Sequence, residues 1–247
     1  MDRGNICEEF KKIGEYAASG AFEESDRSLF YRKALGIRRY YENCRLCEYS
    51  GKALYPSGKI ENSMDIFPEY YYGLSVNWRG YKKENAEYIN KFAEVFSRYR
   101  HKIPPEHTVA AGMWVHSIPN YRRVIKEGLN SYVERINKIA DADMREGLLH
   151  IYEGIKNYIG RIVTYLSKAG ADKRLVDALK KVPLSKADNI YEAIVAWNFI
   201  MYLDNCDNIG CLAKDLYEFY NGEDITDLLG NLDDNIVENE GWSRALG

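Results

Sequence analysis

Apolar residues recur with a helical period along most of this chain. Ile6, Phe10, Ile13 and Ala17 form one stripe, closed by Gly20. Phe30, Ala34, Ile37 and Tyr41 form a second, with Ser25-Asp26 as candidate caps. Residues 44 to 80 break the period with Gly51, Pro56, Gly58, Pro68, Gly73 and Gly80, and predict a long structured loop region. Ala86, Ile89, Ala93 and Phe96 restore it. Pro104-Pro105 stops any helix, and the alternation of Val109, Ala111, Met113 and Val115 predicts a short buried strand.

Beyond Pro119-Asn120 the spacing predicts one helix through Val124, Ile125, Leu129, Tyr132 and Ile136. The strongest stripe follows, Leu148, Tyr152, Ile155, Ile159, Ile162 and Leu166, with Gly170 at its C-terminal end. A short helix around Leu175–Leu179 meets Pro183, and Ser185 is a candidate cap for the stripe Ile190, Ile194, Trp197 and Met201. After a polar turn at 205 to 211, helical segments cover Leu212–Tyr220 and Ile225–Leu232. No repeat or flexible linker divides the chain. The expectation is one continuous, mainly α unit over residues 1–247 with a few short strands.

Composition narrows the class. The chain has 247 residues, 34 Lys+Arg against 37 Asp+Glu, and 46% hydrophobic residues. That is a globular composition without the basic excess of a nucleic-acid binder. The longest apolar run, Ala193–Leu203, is interrupted by Asn198 and is too short to span a bilayer. With no signal-peptide stretch at the N-terminus, a cytoplasmic protein without a membrane partner is expected. The ending at Trp242–Gly247, with no polar taper, predicts a cut through a larger protein.

Candidate chemistry is sparse. Five cysteines are present, and Cys44-x-x-Cys47 invites a metal or redox reading. Zinc needs four ligands, and the second pair, Cys206 and Cys211, is distant in sequence, so buried neutral thiols are preferred. Asp204–Gly210 glances at a calcium loop but has Cys206 at the third position. No phosphate-cradling glycine loop and no G-x-S-x-G occurs. Arg38-Arg39 and Arg122-Arg123 read as solvated helix faces. His116 stands out, because it lies at the strand-to-helix junction before Pro119, where polar side chains commonly face a pocket.

Three short stretches, in order, carry a family resemblance. His116-Ser-Ile-Pro119-Asn-Tyr121, followed by Gly128-Leu129, resembles the His-Thr-x-Pro-x-Tyr…Gly-Leu element of the glycyl radical enzymes, the pyruvate formate-lyase-like superfamily. Val182-Pro183, Tyr191-Glu192-Ala193 and Trp197 resemble that family's Pro…Glu-Ala-Leu-Gln…Trp helix. Gly210 and Leu216-Tyr217-Glu218-Phe219-Tyr220 resemble its Gly-Arg-x-Asp-Gln-x-Leu-Tyr-Pro-Tyr-Tyr run, with Cys211, Ala213 and Glu218 in place of Arg, Asp and Pro. The resemblance is clearest over residues 107–225. The family's radical glycine box, Arg-Val-Ser/Cys-Gly-Tyr, is absent, and Trp78-Arg79-Gly80-Tyr81 has the wrong spacing.

The resemblance implies part of the helical shell of an α/β-barrel lyase or dehydratase. This chain would lack the radical glycine and the thiyl cysteine loop, so it contains no catalytic or metal residue. It would bind no cofactor directly. In a full-length parent, a separate activase with S-adenosylmethionine and an iron–sulfur cluster would install the glycyl radical. The implied partners are a small-molecule substrate, that activase and a second copy in a homodimer, with no nucleic acid. His116, Asn205 and Cys206 are the implied substrate-binding residues. A non-catalytic helical binding or scaffold protein derived from the same fold is the alternative. A thiol-metal protein using Cys44 and Cys47 is the third reading.

Overall fold

The computed structural model describes residues 19–20, 23–24, 26–58, 118–204 and 209–238. The predicted helices at 6–17 and 86–96 and the strand at 109–115 lie outside them. The described part is helical, with an isolated bridge at Cys211 and no strand among the described residues.

Helix α1 (Leu29–Asn43) begins where the Ser28 side chain accepts from the Tyr31 N–H at 3.2 Å. The cap is therefore Ser28 and not Ser25-Asp26, because only Ser28 sits directly before the first helical residue. Helix α4 (Ala142–Lys168) is the long stripe read from sequence; Asp141 caps it by accepting from the Met144 N–H at 2.8 Å, and the chain leaves it through Gly170 at φ +70°. α1 and α4 pack along their lengths. A Cβ on Gly147 would lie 2.8 Å from the Phe30 ring, and one on Gly154 would lie 2.9 Å from Arg38 Cα. Two glycines one side of a helix apart thus set how closely these backbones approach.

The helix predicted through residues 120 to 136 is two helices, α2 (Tyr121–Glu127) and α3 (Asn130–Ile136). They break at Gly128, φ +73°, where a Cβ would sit 2.5 Å from the Leu184 carbonyl oxygen. The freed N–H groups of Leu129 and Asn130 donate to Pro183 O and Leu184 O, both at 2.9 Å. A pairing with a distant segment overrides the local period here.

Helix α5 (Lys173–Lys181) is capped by Asp172, and α6 (Ile190–Asp204) follows. Asn189, not Ser185, accepts from the Glu192 N–H at 3.0 Å at the entry to α6. Successive residues Ala193 to Asn198 are all 0% exposed, so α6 is buried on every side and forms the centre of the fold. Around it lie α2, α5, α7 (Leu212–Leu216, followed by a single 3-10 turn) and α8 (Thr226–Glu238). No helix among the described residues is long and apolar enough to cross a membrane.

Candidate functional site

His116, Asn205 and Cys206 all lie outside the described residues. Their flanking segments do not. Ile118 packs on Gly210: a Cβ added to Gly210 would meet Ile118 Cγ2 at 3.1 Å. The segment that follows His116 and the segment that follows Cys206 therefore meet at one place in the fold.

The residues behind this contact form a fixed wall. Asn120 caps α2 by accepting from the Arg123 N–H at 3.1 Å, which sets Tyr121 at the first helical position. The Tyr121 ring stacks on Trp197 with centroids 4.5 Å apart and 19° between planes. Trp197 is wholly buried, and its Nε1 donates to Asp215 Oδ2 at 3.3 Å. Burial pushes the Asp215 carboxyl above its ordinary value, opposed by the indole hydrogen bond and by Lys214 and Arg122.

A rim surrounds the wall. Glu218, which stands where the glycyl radical enzymes have Pro, is bound by Lys126 and Arg122. The Lys126 and Arg122 hydrogen bonds hold its carboxyl below the usual range. Arg122 is thus an ion-pair partner rather than a free solvated charge. Ile118, Tyr217 and Tyr220 stand exposed beside it. Such a surface offers apolar and aromatic area with one half-buried carboxylate. Among the described residues it presents no activated nucleophile. Asp215 escaped the sequence reading because its burial depends on Trp197, a neighbour on another helix.

Cys44 and Cys47 are elsewhere, both in the core. Arg161 donates to Tyr41 O at 2.8 Å, to Cys44 O and to Cys44 Sγ at 3.7 Å, tying the end of α1 to α4. The Tyr55 hydroxyl donates to Cys47 O at 2.9 Å. Burial pushes the Cys47 thiol up to about 11, away from the thiolate that metal binding needs. Among the described residues no group of three or more His, Cys, Asp and Glu side chains could hold a metal ion. His101 and His107 lie outside the described residues. His150 sits between α4 and α1, with Nδ1 3.1 Å from Arg38 Nη1 and Nε2 3.1 Å from the Tyr31 hydroxyl.

No protein-family model matches the sequence, and no curated protein does. Solved structures match it. One describes 1,2-propanediol dehydration in Roseburia inulinivorans: TM-score 0.59, 15% identity, 97% of this chain and 40% of that one. Another is the glycerol-bound form of the B12-independent glycerol dehydratase from Clostridium butyricum, with the same TM-score and identity, covering 100% of this chain and 40% of that one. Both are glycyl radical enzyme structures, and this chain spans 40% of their length. Mainly helical, it has the fold of part of a glycyl radical enzyme.

Proposed function

We propose that this chain is a helical-shell portion of a glycyl radical lyase or dehydratase acting on a small hydroxylated metabolite. The observation that carries the reading is the fold likeness, over nearly the whole chain, to two structures whose titles name dehydration of a diol and a glycerol dehydratase. The meeting of Ile118 with Gly210 supports a pocket wall built from the segments that hold His116, Asn205 and Cys206.

The residues present do not fit the radical step itself. No Arg-Val-x-Gly-Tyr box occurs in the sequence. Cys44 and Cys47 are sealed in the core, and Cys206 and Cys211 fall where the resemblance matches a different part of the family's chain from its thiyl loop. No hydrogen abstraction is therefore assigned to this chain. Its own work is to bind and orient. His116 accepts from or donates to a substrate hydroxyl, Asn205 and Cys206 give polar contact, and the apolar rim excludes water. The rest of the chemistry, including activation by a separate S-adenosylmethionine enzyme in the cytoplasm, belongs to a full-length parent.

Reading the source frame past the Gly247 codon tests this. A cysteine loop and an Arg-Val-x-Gly-Tyr box downstream are expected. The complete protein, activated without oxygen, should then dehydrate a small diol, and His116→Ala should raise KM at least about tenfold. A frame that closes without the box overturns radical catalysis by this polypeptide and leaves the binding-protein reading. Unchanged kinetics in His116→Ala remove His116 from the pocket.

A further inference from the structure

One surface turn sets an asparagine amide beside an unshielded backbone nitrogen. The connector between the 3-10 turn Tyr217–Phe219 and α8 carries Asn221-Gly222, the one asparagine in the sequence with glycine directly after it. Both residues are exposed, as are Glu223 and Asp224, and neither belongs to a helix or strand. The turn is pinned on both sides of Gly222: the Asn221 N–H donates to Glu223 Oε2 at 2.8 Å, and the Thr226 N–H donates to Asp224 Oδ1 at 3.0 Å. The Gly222 N–H itself donates to no group among the described residues. Gly222 has φ +91°, and nothing lies within 4 Å of a Cβ placed on it. The Asn221 side chain is held by a 3.3 Å bond from Nδ2 to Phe219 O, at the surface, where water can replace it.

Asparagines elsewhere lack this combination. Asn198, Asn231 and Asn235 are buried, spend their amides on the loop before residue 59, and are followed by Phe, Leu and Ile. Asn130 is exposed and precedes the small Ser131, but the Ser131 N–H donates to Gly128 O at 3.2 Å in the first turn of α3. A nitrogen already bonded inside a helical turn is poorly placed to leave its peptide plane and attack a side chain.

We propose that Asn221 deamidates spontaneously in the folded protein, and that this turn becomes a site for a carboxyl methyltransferase that reads isoaspartate. The Gly222 nitrogen attacks Asn221 Cγ. The N–Cγ bond forms, the Cγ–Nδ2 bond breaks, and the proton from the Gly222 nitrogen leaves with Nδ2 as ammonia. Solvent water then opens the cyclic imide and is the only co-reactant. Opening at Cγ gives aspartate. Opening at the main-chain carbonyl carbon gives isoaspartate, in which the chain runs through Cβ and Cγ. Glycine favours the ring because no Cβ obstructs the approach of its nitrogen. Either product adds a carboxylate beside Glu223 and Asp224, and isoaspartate lengthens the main chain before α8. The inference stands apart from the catalytic reading, because the turn is not part of the wall around Trp197.

Incubation of the full chain in warm neutral buffer tests it. Peptide mass mapping locates the change, and methyl transfer from S-adenosylmethionine by a purified isoaspartyl carboxyl methyltransferase counts isoaspartate. The peptide holding Asn221 should gain the mass by which OH exceeds NH2, with isoaspartate in excess over aspartate. The rate should rise with pH, because ring closure needs the Gly222 nitrogen without its proton. It should stay within about tenfold of the rate in the guanidinium-unfolded chain, because the turn is already open in the native fold. Asn221→Gln, which needs a larger ring, and Gly222→Ala, which adds a Cβ, should each slow the mass gain and the methyl acceptance at least about tenfold. Alanine is strained at φ +91°, so Asn221→Gln, which leaves Gly222 in place, is the decisive variant. Helical circular dichroism confirms that both fold. Protection of Asn221 in the native chain by more than about tenfold over the unfolded chain overturns the proposal. So does aspartate formed without isoaspartate at a rate flat with pH, which is direct hydrolysis. Methyl acceptance that Asn221→Gln keeps overturns it too, and puts the isoaspartate elsewhere, as at Asn62-Ser63.

Discussion

The indole of Trp197 donates to Asp215 across the contact between α6 and α7, 3.3 Å from Nε1 to Oδ2, while its face carries the Tyr121 ring. One fully buried side chain thereby joins three helices behind the candidate pocket. Asp215 is the costly member of this arrangement, because burial disfavours its charge. A carboxyl whose folded pKa lies above its unfolded one adds stability at low pH and loses it as pH rises through the folded value. Asn at position 215 keeps an acceptor for the indole and has no charge to desolvate. Asp215→Asn should therefore be more stable than wild type near neutral pH, by about 0.5 kcal/mol. The advantage should shrink as pH falls through the carboxyl range. Urea unfolding at several pH values measures both.

His150 responds to pH in the opposite direction. Arg38 can only donate, so Nδ1 of His150 accepts from it; Nε2 then carries the proton and donates to the Tyr31 hydroxyl, which donates to Glu24 at 3.0 Å. The ring is held neutral, its pKa lowered from 6.5, first by burial and then by the Arg38 and Arg39 charges, against Glu24 and Glu146. The folded state then binds fewer protons than the unfolded one. This contribution is fully present above the unfolded value and is lost as pH falls below it toward the folded one. His150→Gln cannot titrate. Between about pH 7.5 and pH 5.5 the wild-type melting temperature should fall a few degrees further than that of the variant. Parallel melting curves would remove His150 as the cause.

How far these features could be read in advance varies with their range. The stripe from Leu148 to Leu166 is local, and α4 follows it closely. Gly128 looked like one more position on a helical stripe. What breaks the helix there is the Leu184 carbonyl, which the period cannot show. Asn198 read as an interruption in an apolar run, but it is an anchor that needs partners from two other segments. The resemblance to glycyl radical enzymes implied His116, Asn205 and Cys206 as pocket residues; all three lie outside the described residues, and only their neighbours Ile118 and Gly210 are seen to meet. The support from Trp197 to Asp215 stayed hidden, since a lone aspartate on a short helix carries no sign of its burial.

The Asn198 anchor should be expensive to remove. Its Nδ2 donates to Pro56 O at 2.9 Å, and its Oδ1 accepts from Asn235 Nδ2 at 2.9 Å. Asn235 Oδ1 in turn accepts from the Ser57 hydroxyl at 2.8 Å and the Gly58 N–H at 3.1 Å. Asn198 and Asn235 are both 0% exposed, so the loop before residue 59 is tied to α6 and α8 through a buried polar network. Asn198→Leu fills similar space but leaves the Asn235 amide short of an acceptor. It should cost about 2–3 kcal/mol, read as a lower urea midpoint at unchanged slope. A loss below about 0.5 kcal/mol would mean that water or a shifted loop replaces these bonds.

Tyr158 gives the converse case. It lies on α4 among Tyr41 and Phe199, at ring distances of 5.5 and 6.1 Å, and is 1% exposed. Its hydroxyl is buried and has no hydrogen-bond partner among the described residues. Burial first, and then the neighbouring Cys44, Tyr55, Tyr40 and Cys47, push its pKa far up, so it stays protonated and contributes only the cost of an unsatisfied polar group. Tyr158→Phe deletes that oxygen and keeps the ring packing. The variant should equal or exceed wild type in stability, by up to about 1 kcal/mol, whereas Tyr158→Ala should lose about 3–5 kcal/mol through the cavity left behind. Thermal unfolding of both variants separates ring from hydroxyl. A clear loss in Tyr158→Phe would show that the hydroxyl is bonded in solution, by a buried water or by a residue outside the described segments.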